Sequence, residues 1–277
     1  MNRLENPVLK HELKTRIRIA KIIPAIILRY AFLGFTYLMV LHARLGRGIL
    51  AFIIAEAVLI LLFTPGAVCI TFSSKTGRSD LSDLLLTRLN LPAIVLGKLA
   101  GANLYNFIAV ILSAIAMCTM ALFRSNLSVW PLMRANSALI VLMFASSAIS
   151  LTFSALFRGN IHASTALSYL LILLLIGSVI TPGPLISRMS GSGVRSVVVK
   201  TALYANPIIM TSRALGNMDI MRSMYMYRLA DPIVGRSLWA YPDWRHAALI
   251  YLGISCLILV PIFIESWREK MLAKNYR

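Results

Sequence analysis

The sequence predicts an all-α polytopic membrane protein with six transmembrane helices. Of its 277 residues, 58% are hydrophobic and only 14% are charged, whereas a soluble domain carries roughly 25% charged residues. The apolar residues are concentrated in continuous runs of about 20, the length that a helix needs to cross a bilayer. A transmembrane β-barrel would instead show short segments of alternating polarity.

The whole chain, 1–277, is predicted to form a single transmembrane domain. A run at 93–123 is longer than one span needs, and its polar beginning (GKLAGANLYN) is expected to lie at the membrane interface. The six spans are therefore predicted at roughly 22–42, 49–71, 102–123, 132–157, 162–181 and 245–265.

The distribution of basic residues predicts the orientation of the chain. Lys and Arg are abundant before the first span, in the loop after the second and after the last, whereas the short loops on the other side carry few. Such residues favour the cytoplasmic side. Both termini are therefore expected in the cytoplasm, and the membrane is expected to be the plasma membrane (a bacterial inner membrane).

A further apolar segment at 196–215 complicates the count of spans. Lys200 and the Asn206–Pro207 pair argue against a full crossing, which would also place the basic C-terminal tail outside the cell. The segment is expected to be a helix or a re-entrant hairpin within a long external loop, 182–244.

The N-terminal residues 1–21 are polar and basic, and they do not resemble a cleavable signal peptide. Between residues 4 and 20, apolar positions such as Leu13 and Ile17 share one helical face, while basic residues such as Lys14 fill the remainder. This pattern predicts an amphipathic helix at the cytoplasmic membrane interface; an anchor preceding the first span is the simpler alternative.

The predicted cytoplasmic loop at 72–92 is expected to contain a second short helix. Ser79 and Asp80 can cap it, and Leu81, Leu84 and Leu85 give it an apolar edge. Pro92 then stops or restarts the chain. Such an edge suits docking into a groove of a partner protein, although a loop helix can equally pack against its own chain.

These residues give the chain a resemblance to the membrane (permease) subunit of ABC-2-type ABC transporters. The resemblance is carried by Leu84-Leu85-Leu86-Thr87-Arg88-Leu89 followed by Ile94-Val95-Leu96-Gly97-Lys98-Leu99, and by the opening Asn6-Pro7-Val8-Leu9 with Glu12-Leu13 and Arg16-Ile17-Arg18. The order of the spans and the long last external loop also match. One departure is the basic stretch from Lys75 to Arg78, where the family usually carries acidic residues; here acids occur only at Asp80 and Asp83.

The resemblance implies a role for each cytoplasmic segment. Residues 79–90 would be a coupling helix in a cleft of a separate ATP-binding subunit, and residues 4–20 would be an interfacial helix touching that subunit and lipid. Implied coupling residues are Arg78, Asp80, Leu81, Asp83, Leu84, Leu85, Thr87, Arg88 and Lys98, and implied interfacial residues are Glu12, Leu13, Arg16 and Ile17. ATP and Mg would bind to the partner, and a second permease subunit, identical or different, would complete the path.

Two charges lie within predicted spans, Arg29 and Glu56. Ionisable residues inside a membrane are costly and are functional candidates by default. Their predicted depths differ by about 10 Å at 1.5 Å per residue, so a direct pair requires tilted helices. Alternatively, Arg29 extends its side chain to the interface.

The sequence offers little support for other activities. The four histidines and the three cysteines, Cys69, Cys118 and Cys256, lack metal-ligand or CxxC spacing, so no metal site is expected and the cysteines are interpreted as packing residues. No Walker A, HExxH or GxSxG motif occurs, so no catalytic residue is assigned and the chain is not expected to be an enzyme. The net charge of +18 is attributed to topology and anionic lipid rather than to nucleic acid, because basic and aromatic residues do not interleave.

Two hypotheses remain open at this point. In the first, the chain is the permease subunit of an ATP-driven exporter. In the second, it keeps the permease fold as a structural or assembly subunit of a larger membrane complex without transporting anything. The missing acidic run before residue 79 keeps the second hypothesis open. The substrate cannot be predicted from the sequence.

Overall fold

A computed structural model describes residues 27, 30–31, 33–34, 38, 45–69, 91–124, 128–157, 160–178, 192–216 and 243–275. Within these ranges the chain is helical and contains no strand. Seven helices have both ends within the described residues: α1 (Leu45–Cys69), α2 (Leu91–Arg124), α3 (Val129–Leu156), α4 (Ile161–Gly177), α5 (Ser192–Ala205), α6 (Pro207–Ala214) and α7 (Trp244–Asn275). The predicted interfacial helix at 4–20 and the loop at 72–90 lie outside the described residues.

Four helices are long and apolar enough to cross a membrane. These candidate spans are Ile49–Cys69, Pro92–Thr119, Val129–Leu156 and Trp244–Ile264. Helix α4 is apolar as well but has only 17 residues. The all-helical membrane architecture expected from the sequence is therefore present, with four candidate spans in the described part of the chain.

Helix α2 differs from its predicted bounds. It begins at Leu91, with Pro92 in its first turn, and continues without interruption to Arg124. The polar stretch expected at the membrane interface is thus part of the same helix, and its Lys98, Asn103 and Asn106 side chains are all buried. The two asparagines can be buried because their polar groups form hydrogen bonds with neighbouring helices and with the α2 backbone.

Helix α3 is the centre of the bundle. In the most apolar 18-residue stretch of α3, 72% of the residues are buried, compared with 28% in the corresponding stretch of α7. Helix α3 packs against α1, α2, α4, α6 and α7. Its second half is rich in small buried residues, which allow helix backbones to approach closely in membranes. These residues are Ala145, Ser146, Ser147, Ala148, Ser150, Ser154 and Ala155.

Two hydrophobic clusters define the two ends of the bundle. The smaller one joins Val68 of α1, the start of α2 (Ile94 to Ala102), Leu151 and Ala155 of α3, and Ile262 of α7; we call this the Cys69 end. The larger one includes Ile49 of α1, Met117 of α2, Leu132 of α3, Met210 of α6 and Tyr251 of α7; we call its outer part the Asn206 end. Helices α1 and α3 therefore run in the same direction, and α2 runs against them.

The segment at 196–215 forms two helices that are broken at Asn206. The Asn206 side chain caps α6 by accepting from the backbone N–H groups of Ile208 and Ile209, at 2.9 and 3.1 Å. Its amide donates to the carbonyl oxygens of Leu175 and Ile176 at the end of α4, at 3.3 and 2.8 Å. Pro207 follows at the first position of α6, where its missing N–H costs nothing. The break therefore occurs at the Asn–Pro pair that argued against a continuous span.

Candidate functional site at the Cys69 end

Most of the site residues predicted from the sequence fall outside the described residues. Those are Glu12, Leu13, Arg16, Ile17, Arg29, Arg78, Asp80, Leu81, Asp83, Leu84, Leu85, Thr87 and Arg88. Lys98 and Glu56 lie within the described residues. The roles assigned to the residues outside these ranges remain predictions.

Lys98 lies on the buried face of α2, with an exposed fraction of 4%. Ile94, Val95, Leu99 and Ala102 occupy the same face and pack against the ends of α1 and α3 at the Cys69 end. The C-terminal ends of helices carry a partial negative charge that favours a nearby cation. The position of Lys98 thus suits a lysine that stabilises the packing of α2 against two helix ends.

Glu56 is completely buried in the middle of α1. Its neighbours along that helix, Phe52, Ile53, Ala57 and Ile60, belong to the larger hydrophobic cluster. Placing a carboxyl group there is costly, which keeps Glu56 a functional candidate. The Arg29–Glu56 pair remains a prediction because Arg29 is outside the described residues.

Two polar contacts connect α2 to its neighbours. The Asn106 Nδ2 atom donates to Thr64 Oγ1 of α1 over 3.1 Å, and Ser147 Oγ of α3 donates to Asn103 Oδ1 over 2.7 Å. All four residues are buried. Because Asn103 and Asn106 are three residues apart, they lie close together on the α2 surface. This part of α2 is therefore bonded to α1 through Asn106 and to α3 through Asn103.

Cys69, the last residue of α1, links this helix to α3 and α4. Its Sγ atom lies 3.7 Å from the Ser150 carbonyl oxygen and 3.4 Å from Ser168 Oγ. The Ser154 hydroxyl donates to the Cys69 carbonyl over 2.7 Å, so a terminal carbonyl of α1 is satisfied by α3. Together with Asn103 and Asn106, these contacts form a polar network that joins α1, α2, α3 and α4.

The sequence carries a partial signal for this network. Asn103 and Asn106 lie three residues apart in a mostly apolar run, and the serines of α3 at 147, 150 and 154 recur every three or four residues. That period places them on one face of a helix. Sequence reasoning treated the asparagines as interfacial because composition alone does not reveal a buried partner.

The cysteines and histidines form no metal site among the described residues, where no group of three His, Cys, Asp or Glu side chains comes together. Cys69, Cys118 and Cys256 lie on α1, α2 and α7 and form no disulfide. Cys69 is buried, Cys118 is partly buried and Cys256 is exposed.

Comparison with known proteins identifies no relative of this chain. No family model matches it, and no match is found among curated proteins or solved structures.

Proposed function

We propose that the chain is the membrane subunit of an ABC-2-type ATP-driven transporter and acts as an exporter in the plasma membrane. It would dimerise with a second permease subunit and bind a separate ATP-binding subunit, which supplies ATP hydrolysis and Mg. The motifs at 84–99 and at the N-terminus suggest the family.

One observation carries the proposal. Helix α1 ends at Cys69 and helix α2 begins at Leu91, and these two points, which flank the predicted coupling helix, lie at the same end of the bundle. A coupling helix has to pass a force to the spans, so its flanking helices must be joined firmly to the bundle. The polar network at the Cys69 end supplies such a connection, since it ties α1 and α2 to each other and to α3 and α4.

The proposal includes six spans with both termini in the cytoplasm. The first span, 22–42, would add to the four long helices and α4. At 1.5 Å per residue, α4 is about 26 Å long, slightly less than the roughly 30 Å of a bilayer core. Local thinning of the bilayer accommodates such a difference at a modest cost.

A structural or assembly subunit is the second candidate. The basic run from Lys75 to Arg78 replaces the acidic residues usual in the family, and a permease-like subunit that engages no ATPase has no need of them. This candidate predicts a stable membrane complex without a nucleotide-binding subunit at residues 79–90.

Co-purification distinguishes the two candidates. The full chain is purified from its native membrane in mild detergent, and photo-crosslinkers placed at 79–90 capture what lies against them. The transporter proposal expects a nucleotide-binding subunit in the crosslinked product. An intact complex without such a subunit contradicts it and supports the assembly role.

Charge reversal tests the docking site in the purified complex. Asp80→Lys together with Asp83→Lys should reduce the stimulated ATPase rate, because two acids on the predicted coupling helix become bases. Asp231→Lys, in the predicted external loop, introduces a charge reversal away from the docking site and should leave the rate unchanged. An unaltered rate in the Asp80/Asp83 variant contradicts docking at this helix.

A further inference from the structure

Helix α1 contains a proline one turn before its end. Pro65 has no backbone N–H, so the carbonyl of Leu61 loses its usual partner, and the proline ring crowds the preceding turn. In the interior of a membrane an unsatisfied carbonyl is expensive, and prolines are tolerated there where neighbouring side chains compensate. The surroundings of Pro65 therefore decide whether this end of α1 is a rigid helix.

A side chain from α4 is inserted at this proline. The Tyr169 hydroxyl donates to the Leu62 carbonyl oxygen over 2.7 Å, and the Tyr169 hydroxyl oxygen accepts a backbone hydrogen bond from the Gly66 N–H. In an uninterrupted helix, Gly66 N–H would bond directly to Leu62. The hydroxyl thus lies between the two groups that would otherwise close this step of the helix, an arrangement known to bend helices.

Gly66 lies directly beside the tyrosine hydroxyl. A Cβ atom at this position would lie 3.4 Å from Tyr169 Oη, at van der Waals contact. On the other side of the proline, Thr64 Oγ1 donates to the Ile60 carbonyl over 2.5 Å and accepts from Asn106. The helix around Pro65 is therefore held by side chains from α2 and α4 as well as by its own backbone.

Beyond Pro65 the last turn of α1 is attached mainly to other helices. The Cys69 carbonyl accepts from Ser154 of α3, and the Cys69 thiol contacts Ser168 of α4. Because Ser168 and Tyr169 are consecutive in α4, one turn of that helix contacts α1 both at the proline and at its end. The turn 66–69 is thus attached to α3 through Ser154 and to α4 through Ser168.

We propose that Pro65 is a hinge in α1 and that Tyr169 is the positioning residue that holds the hinged turn 66–69 in place. The Tyr169 hydroxyl bridges the Leu62 carbonyl and the Gly66 N–H on either side of Pro65, so the turn can pivot when this hydroxyl withdraws. This inference stands whatever the protein does. Under the proposed function, on which this role of the hinge depends, movement of the predicted coupling helix at 79–90 would be transmitted to the bundle through the hinge.

Amide hydrogen exchange tests the hinge directly. The full chain is placed in lipid nanodiscs, and exchange at residues 66–69 is compared among the unaltered protein, Tyr169→Phe, Pro65→Ala and the double variant. We expect Tyr169→Phe to accelerate exchange at 66–69 about threefold, the factor typical of one interhelical hydrogen bond in a membrane. Pro65→Ala restores the N–H that bonds to Leu61, so in that background Tyr169→Phe should have little further effect.

Tyr251→Phe is the matched control. It removes the same kind of bond, from a tyrosine hydroxyl to the Ala205 carbonyl, at the opposite end of the bundle. It should leave exchange at 66–69 unchanged, and this comparison decides the outcome if Pro65→Ala does not fold. Unchanged exchange in Tyr169→Phe overturns the hinge, as does an equal acceleration with and without Pro65.

The two proposals can fail separately. Exchange at 66–69 is measured on the chain alone and requires no ATPase partner. A negative exchange result removes the hinge and leaves the transporter proposal standing. Absence of a nucleotide-binding subunit at 79–90 removes the transporter proposal and leaves the hinge.

Discussion

Ser147 of α3 donates a hydrogen bond to the side-chain carbonyl of Asn103 on α2, and both residues are buried between the helices. The Asn103 side-chain amide donates a hydrogen bond to the Leu99 carbonyl of its own helix over 2.9 Å. Both polar atoms of the Asn103 side chain therefore have a partner within the protein. Such a bond fixes the level at which two apolar helices meet, which apolar side chains alone specify poorly.

Replacing Asn103 should weaken the bundle measurably. Asn103→Ala removes the contact with Ser147 and leaves a small cavity, so we expect a loss of about 1 to 2 kcal/mol in the free energy of unfolding. Unfolding in a denaturing detergent, followed by circular dichroism, measures the change.

Ser137→Ala provides the control for Asn103. The Ser137 hydroxyl is exposed and donates only to the Met133 carbonyl of its own helix. Its removal should change the stability by less than about 0.5 kcal/mol. Equal losses in the two variants would show that the contact with Ser147 contributes nothing specific.

Replacing Asn206 should destabilise the protein more than replacing Asn103, because the Asn206 side chain both caps α6 and donates hydrogen bonds to the end of α4. Asn206→Ser keeps an oxygen that can cap α6 but loses the donors to Leu175 and Ile176, and we expect a loss of about 1 kcal/mol. Asn206→Ala loses both the cap and the donors, and about 2 to 3 kcal/mol is expected. Thermal unfolding in detergent measures both.

The control for Asn206 is Thr201→Ala on α5. Thr201 is exposed, and its hydroxyl donates to Val197 of the same helix, so this variant should resemble the unaltered protein. The expected order of stability is the unaltered protein first, then Asn206→Ser, then Asn206→Ala. A serine variant as unstable as the alanine variant would mean that capping of α6 adds nothing.

The sequence predicted the helices better than it predicted their contacts. Continuous apolar runs predicted helices where the four long helices lie, and the Asn206–Pro207 pair, which argued against a full crossing, lies at the break between α5 and α6. The buried network was not predicted, because an asparagine in an apolar helix looks the same in sequence whether it faces lipid headgroups or a serine of another helix. The insertion of Tyr169 at Pro65 depends on contacts across 107 residues, a relationship that periodicity does not encode.

The three cysteines should react in a definite order. Cys256 is exposed on α7, Cys118 is partly buried and Cys69 is buried. A lipid-soluble maleimide should therefore modify Cys256 first and Cys69 only after unfolding. Mass spectrometry of timed samples measures the order, and Cys256→Ser should abolish the fast phase. Modification of Cys69 at the rate of Cys256 in the folded protein would contradict its burial at the end of α1.

Two introduced cysteines test the proposed orientation. Ser128, before α3, and His162, in the first turn of α4, are both exposed and lie at opposite ends of the bundle. In intact cells a membrane-impermeant maleimide should label Ser128→Cys, whereas His162→Cys should react only after the cells are permeabilised. The reverse pattern would place the termini outside the cell.

The hydrogen bonds that Asn206 makes to the end of α4 have a consequence for how the protein folds during synthesis. The carbonyl groups at the end of α4 obtain a donor from a residue translated 30 positions later, and the Ala205 carbonyl obtains its donor from Tyr251, another 46 positions along the chain. A nascent chain that has released only α1 to α4 from the ribosome therefore carries an unfinished, short apolar helix. We therefore expect this end of the bundle to close late in biogenesis, because its last donor, Tyr251, lies on α7.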